Sequence, residues 1–221
     1  MCGRYSLYEP DKMYDRFSIV NRQIAIDLEP HYNITPGNYL PVVVKNSPNQ
    51  VELMKWGLVP HWSKEPRVKY STINARAENI TSSSVYREPF RTKRCLIPAN
   101  GFFEWKQTAS GKVPYFIHLK HEPMFAFAGL YDIWTDAEGK EFKSFSIITT
   151  TPNEIMQPIH NRMPVILPKE HEEVWLTPEE TNTAKLLTFL QPYPSNQMEA
   201  YTVSTEVNRP MNDNAEVIKP Q

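Results

Sequence analysis

Cysteine is scarce in this chain: Cys2 and Cys95 are the only two among 221 residues. That excludes a disulfide framework and a thiolate zinc site, and a reducing cytosol would keep both thiols free. Long apolar runs are missing as well. The longest, Met124 to Leu130, falls far short of the roughly 20 residues that a membrane-spanning helix needs. The opening Met-Cys-Gly-Arg-Tyr-Ser-Leu-Tyr-Glu-Pro-Asp-Lys lacks the apolar core of a secretory signal. A cytoplasmic protein without a membrane span is expected. Glycine is sparse too, at 7 against 20 prolines. Proline fixes φ and removes a backbone donor, so this balance argues for short strands joined by stiff loops and against a helical bundle.

A surplus of one charge is also absent, since 24 Lys+Arg face 25 Asp+Glu for a net charge of -1. The balance conceals a local asymmetry. Between Lys64 and Arg94, a segment that includes Lys69, Arg76 and Lys93, eight basic residues face three acidic ones, leaving +5 there and -6 elsewhere. An acidic group at Glu170, Glu172, Glu173, Glu179 and Glu180 holds much of the remainder. Basic residues interleaved with Trp62, Tyr70, Tyr86 and Phe90 could follow a phosphate backbone and stack bases, as single-strand binders do. A solvated face is the alternative.

Short β-like runs dominate the chain: 41–45, 51–59, 94–98, 101–106, 114–119, 124–130, 143–150, 164–167 and 198–203. Most are rich in β-branched or aromatic residues and bounded by Pro, Gly or Asn. Helices are expected to be few and short, over 11–17, 83–90 and 152–157. Another is expected to open at Thr177-Pro178-Glu179-Glu180, where an N-cap, a proline at the first helical position and a capping-box Glu coincide, with Ala184, Leu187 and Leu190 down one face. The fold class expected is α+β: a single domain over residues 1–221 with a mostly antiparallel, barrel-like β core flanked by short helices.

Four places could carry chemistry. Removal of Met1 would leave Cys2 with a free α-amine beside its thiol. An α-amine has a pKa of about 7.8 against about 10.4 for lysine, so at pH 7 roughly one in seven is neutral rather than roughly one in 2,500. It can attack an aldehyde to give a Schiff base, and the neighbouring thiol can close onto the imine carbon as a thiazolidine. With Met1 present the nitrogen is an amide and cannot react. Glu104 lies in Gly101-Phe102-Phe103-Glu104-Trp105, where alternation places it on the face of Phe102. Burial there would raise its pKa and suit it to general acid–base work, unless it simply pairs with an arginine. Asn74-Ala75-Arg76-Ala77-Glu78 would put three polar side chains on one strand face. That is either an exposed edge or a site where Asn74 holds a reacting group and Arg76 grips a phosphate. His160-Asn161-Arg162 places a titratable ring and a cation at a loop-to-strand junction.

These residues occur in an ordered series of motifs: Met-Cys-Gly-Arg-Tyr at 1–5, Tyr-Asn-Ile-Thr-Pro-Gly at 32–37, Trp-Gly-Leu-Val-Pro-His-Trp at 56–62, Ile-Asn-Ala-Arg-Ala-Glu at 73–78, Gly-Phe-Phe-Glu-Trp-Lys at 101–106, Phe-Ala-Gly-Leu at 127–130 and Ile-His-Asn-Arg-Met-Pro at 159–164. The series resembles the SOS-response-associated peptidase (SRAP) family over essentially the whole chain. The resemblance implies a protein of the DNA damage response that binds single-stranded DNA and links itself covalently to abasic sites, with no cofactor or metal. It implies Cys2 as the nucleophile, Asn74 positioning the sugar, Glu104 as acid and base in forming and reversing the link, and His160 helping to open the sugar ring. It also implies DNA contacts from Arg4, Pro36, Trp62, Arg76, Trp105 and Arg162. The peptidase activity in the family's name would be the removal of the residue before Cys2. A monomer, nucleoid-associated when bound to DNA, is expected. A cysteine peptidase using Cys2 and His160 on other proteins, and a non-catalytic single-strand binding module, are the alternatives.

Overall fold

The computed structural model describes residues 2–21, 28–46, 49–67 and 72–221. Met1, and Lys69 and Tyr70 of the basic segment, lie outside them. Thirteen strands are found among the described residues: β1 Tyr5–Leu7, β2 His31–Ile34, β3 Tyr39–Val44, β4 Gln50–Trp56, β5 Asn74–Arg76, β6 Arg94–Ala99, β7 Gly101–Thr108, β8 Gly111–Leu119, β9 Phe125–Thr135, β10 Glu141–Thr150, β11 Met163–Pro164, β12 Ile166–Leu167 and β13 Met198–Thr202. Four short α-helices accompany them: α1 Lys12–Arg16, α2 Arg87–Thr92, α3 Lys169–Leu176 and α4 Thr183–Thr188. Each of the nine β-like runs read from the sequence contains strand, and none of the helices is long and apolar enough to cross a membrane.

Five strands close into a barrel. β3 pairs with β4 and β6, β6 with β9, β9 with β10, and β10 returns to β4. Every pairing in the ring is antiparallel except β4 with β10, whose register sets Lys55 opposite Ser144. Beyond that point β10 leaves β4 and runs parallel to β5, with Asn74 opposite Ile147 and Arg76 opposite Thr149. Its far end meets β11, Thr150 opposite Met163. The Asn74 and His160 motifs are thereby drawn to one end of one strand.

A second sheet, in the order β13-β8-β7-β1-β2, lies beside the barrel. Alternation divides its side chains. Tyr5, Phe102 and Ile117 join the main core, while Phe103 and Phe116 pack with Val203, Val207 and Val217 of the C-terminal segment. Aromatic edges lock the sheet to the barrel: the Tyr5 ring lies 5.3 Å from Trp56 and 5.8 Å from Phe127, and Phe102 lies 6.0 Å from Phe127. Two motif glycines are required for closeness rather than for φ. A Cβ on Gly101 would stand 2.2 Å from Phe116 Cζ, and one on Gly129 2.1 Å from Ile97 Cδ1, both inside hard contact.

The helices depart from the sequence reading. No helix opens at Thr177, because Thr177 closes α3: its N–H donates to the carbonyls of Glu173 and Val174, and its hydroxyl to Glu173. The Arg94 guanidinium then holds the carbonyls of Thr177 and Glu180, so this stretch stays a turn. α4 begins at Thr183 with Asn182 as its cap, accepting from the Lys185 N–H; it buries Leu186 while Ala184 is exposed, and Leu190 is buried just beyond its end. Residues 152–157 form no helix: the chain turns over 154–159, although the Asn153 side chain accepts from the Met156 N–H as a helix cap would. The expected helix over 83–90 is α2, displaced to 87–92. α3 carries the acidic residues Glu170, Glu172 and Glu173, and its Glu172 is forked to Arg16 of α1 at 2.8 and 2.6 Å.

Candidate active site

Cys2 lies three residues before the start of β1 and is fully buried against the main core. Burial pushes its thiol well above the ordinary value, and the negative charge of Glu104 pushes it further. Glu104 comes from β7, on the face of Phe102 as alternation requires, and only 3% of it is exposed. Burial raises its carboxyl to about 7, with the positive charge of the chain terminus and the Trp105 backbone N–H acting in the other direction. A carboxyl near 7 is half protonated under ordinary conditions, which is the state a proton shuttle needs.

His160 faces it. The ring Nε2 lies 3.8 Å from Glu104 Oε2, and Nδ1 accepts the Arg162 backbone N–H at 3.1 Å. Nδ1 also lies 3.2 Å from the Arg162 carbonyl, so the Arg162 backbone can hold either tautomer of the neutral ring. Burial lowers the pKa of His160, and the terminal charge, Arg162 and Lys112 lower it further, so the neutral ring prevails at pH 7. Together with Arg4, Trp105, Lys112 and Asn208, these two residues line an open cleft of about 450 Å³.

Asn74 is different in kind. It is 8% exposed, its backbone carbonyl accepts from Tyr86 Oη at 3.0 Å, and its side-chain Oδ1 and Nδ2 are both buried without a hydrogen-bond partner. Leaving such a group unsatisfied costs about 1–3 kcal/mol, and a water or a ligand can supply the bonds that the chain does not. The strand that carries it is shorter than alternation suggests. Ala77–Asn79 form a 3-10 turn, so Glu78 leaves the face shared by Asn74 and Arg76 and takes both ends of the Arg162 guanidinium at 2.6 and 3.0 Å. Arg162 also donates to the Thr149 carbonyl at 2.6 Å. The fork ties the Asn74 motif to the His160 motif.

Cleft residues on the other side are held with equal care. Arg4 Nη1 donates to Asn33 Oδ1 and to the Val207 carbonyl, both at 2.6 Å, and its guanidinium lies 5.6 Å from the Trp105 ring. Trp105 in turn donates from Nε1 to Asn208 Oδ1 at 2.7 Å. Lys112 was not singled out by the sequence. It reaches the cleft only because the β7–β8 hairpin sets it opposite Gln107, a register that no motif announces. Asn208 could have been found as the last residue of Val203-Ser204-Thr205-Glu206-Val207-Asn208.

Pro36, Trp62 and Arg76 do not line this cleft. Pro36 is exposed at the edge of a separate hollow of about 360 Å³ that also contains Trp56, Gly57, Thr72 and Ile73. Arg76 is exposed at the end of β5. Trp62 is 55% exposed on a tight turn. That turn is pinned from β9: Asp132 accepts from the His61 backbone N–H at 2.8 Å and faces His61 Nδ1 at 2.9 Å, while Trp134 Nε1 donates to the Ser63 carbonyl at 2.7 Å. The basic segment is not one continuous stripe. Arg94 is buried and donates to five backbone carbonyls, and Lys93 pairs with Asp132. Both are spent on the fold because they flank the start of β6, where α2 and α3 meet the barrel. Among the described residues, no cluster of three or more His, Cys, Asp or Glu could hold a metal ion.

A closed barrel, an adjoining sheet and a cleft that holds a histidine and a buried acid whose charge reaches Cys2 define a narrow class of protein. The chain belongs to the SOS response associated peptidase (SRAP) family, whose sequence model matches residues 1–210. Abasic site processing protein YoaM of Bacillus subtilis is 44% identical over 221 residues, covering 99% of this chain and 97% of that one. Abasic site processing protein HMCES of Gallus gallus is 32% identical over 224 residues, covering 86% of this chain and 66% of that one. A crystal structure of a Bacteroides thetaiotaomicron protein superposes with a TM-score of 0.91 at 30% identity, over the full length of both chains.

Proposed function

We propose that this chain processes abasic sites by forming a covalent link between Cys2 and the ring-opened sugar of single-stranded DNA, within a single domain. The observation that carries the reading is the Glu104–His160 pair, a buried carboxyl raised to about 7 facing a neutral imidazole at 3.8 Å, in electrostatic contact with Cys2. The names of the relatives, abasic site processing proteins, support it.

Loss of Met1 first unmasks the Cys2 amine. His160 assists opening of the cyclic hemiacetal to the aldehyde, and Asn74 donates to and accepts from the sugar, filling the hydrogen bonds its carboxamide lacks. The amine adds to the aldehyde carbon. Glu104 protonates the departing hydroxyl, and one water leaves as the Schiff base forms. The Cys2 thiol then adds to the imine carbon while its proton passes to the imine nitrogen, closing the thiazolidine. Burial and the charge of Glu104 hold the thiol protonated, so its proton must be taken as the sulfur adds, and Glu104, having given its own proton to the departing hydroxyl, takes it and passes it to the imine nitrogen. The same raised thiol tells against the cysteine-peptidase reading, which calls for a thiolate of lowered pKa paired with histidine. Arg4, Trp105, Arg76 and Arg162 border the reacting end of the strand, and Pro36 and Trp62 lie further out.

Intact-protein mass spectrometry tests the proposal on Met1-processed protein. The measurement is made before and after incubation with single-stranded DNA bearing one abasic site. A DNA-sized gain that survives denaturation, lost in Cys2→Ala, is expected. Confirmed loss of Met1 with no adduct would defeat it. Equal strand binding by Cys2→Ala and wild type, without any adduct, would leave a binding module.

A further inference from the structure

We propose that the hollow between Tyr39, Lys55, Arg67, Trp134 and Phe142 is a subsite for a flanking nucleotide of the bound strand. The inference rests on the single-strand reading above. The hollow measures about 630 Å³, larger than the cleft lined by Glu104 and His160. Its walls are aromatic. Tyr39 is 56% exposed and meets Phe142 edge-on at 6.2 Å, and the barrel register places Tyr39 opposite Lys55 and Phe142 opposite Trp134.

Its charge is selective. Lys55 Nζ lies 5.5 Å from the Phe142 ring, and Lys55, Arg67 and Lys140 have no carboxylate partner among the described residues. Lys143, by contrast, is spent on Glu52. Of the two acids at the rim, Asp136 is turned onto the backbone N–H groups of Glu138 and Lys140, and Glu141 is exposed. Aromatic faces beside unpaired cations form the surface on which a base stacks while its phosphate meets a lysine.

Its position supplies continuity. Lys55, Pro66 and Arg67 line both this hollow and the neighbouring one that holds Pro36, Thr72 and Ile73, and Ile73 adjoins Asn74. A strand leaving the sugar at Asn74 by way of Pro36 arrives at Tyr39 and Phe142. An acidic peptide would satisfy the cations but has no use for the ring faces or for this continuity.

The test uses the full chain and oligonucleotides carrying a non-reactive tetrahydrofuran analogue of the abasic site, with both flanks short or with one flank lengthened. Lengthening the correct flank is expected to tighten wild-type binding about tenfold. Tyr39→Ala is expected to lose most of that gain. Lys140→Glu, at an exposed turn position, is expected to lose part of it and to flatten the salt dependence by about 0.7 in slope for one lost phosphate. Both variants should bind the short oligonucleotide, and crosslink its aldehyde-bearing counterpart, as wild type does; this also shows that they fold. An unchanged flank gain in both variants overturns the subsite. So does competition by an acidic peptide that removes the flank gain while leaving the short oligonucleotide bound, which would assign the hollow to a protein partner. If wild type neither binds nor crosslinks the short oligonucleotide, the single-strand reading itself falls and takes the subsite with it.

Discussion

Buried polar groups are treated in opposite ways on two sides of this molecule. Where α2 and α3 meet the barrel, Arg94 is 3% exposed and donates to the carbonyls of Phe90, Arg91, Trp175, Thr177 and Glu180. At the far end of β10, Asn74 is 8% exposed and its carboxamide donates and accepts nothing, while Glu104 is buried at the cost of a carboxyl raised to about 7. The fold plainly can saturate a buried polar group. Under the proposed function, the unfilled Asn74 carboxamide is where the sugar binds.

The sharpest way to break this comparison is to remove the acid and leave its shape. Glu104→Gln should slow adduct formation by about 10²-fold or more, the usual span of general acid–base catalysis. Quenched time courses on abasic single-stranded DNA would read it. An unchanged rate would mean that Glu104 is merely a misplaced buried acid. On the other side, Arg94→Met should leave the rate per folded molecule untouched. It strips five carbonyls of their donor, so it should cost about 3 kcal/mol or more of stability in urea unfolding.

Acidity distinguishes the two regions further. Because the Glu104 carboxyl stands at about 7 in the fold against an ordinary 4.5, the folded chain holds a proton between those values that the unfolded chain has released. Stability attributable to this group is therefore full below about pH 4.5 and is lost as pH rises through 7, by up to about 3 kcal/mol. Unfolding midpoints at pH 5 and pH 8 should converge in Glu104→Gln. A decline of equal size in the variant would place its origin elsewhere.

Much of this was legible in the chain, and the remainder follows from long-range geometry. Nine β-like runs carry strand because their β-branched and aromatic content and Pro, Gly or Asn boundaries are local signals. β1 and β2 escaped notice because each is three or four residues long and exists through distant partners, Tyr5 opposite both Ile34 and Phe102. The helix start at Thr177 failed because a neighbouring helix end and Arg94 claim the same groups that a cap would use. Cys2, Asn74, Glu104 and His160 stood out by residue type within motifs. Lys112 did not, since only the hairpin register brings it to the cleft. The saturation of Arg94 was equally hidden, and local sequence made it look like one more cation on a stripe.

The unfilled carboxamide of Asn74 can be probed directly. Replacing it by leucine, similar in volume and without polar atoms, should leave stability unchanged or raise it by about 1 kcal/mol, since an unsatisfied buried carboxamide is removed. The same variant should crosslink more slowly. A substitution that stabilises the fold and harms the chemistry is the signature expected of a binding group. A loss of stability would instead reveal that Asn74 is satisfied within the folded chain.

The smallest effect should come from Asp132, which is saturated like Arg94 yet serves the DNA side. It is 1% exposed and accepts from the His61 and Ile133 backbone N–H groups and from Lys93, and it faces His61 Nδ1. Burial alone would raise its carboxyl, but these donors hold it below the ordinary range. Its work is to fix the turn that presents Trp62. Asp132→Asn keeps the volume but removes the charge and one acceptor, so the turn should loosen without unfolding the barrel. Single-strand affinity should weaken about threefold, the size of one net hydrogen bond, with the rate of adduct formation at saturating DNA unchanged. A fall in that saturated rate would show that Trp62 acts on the reacting sugar rather than on the strand beyond it. Asp132 would then belong with Glu104 and Asn74 despite its full set of partners.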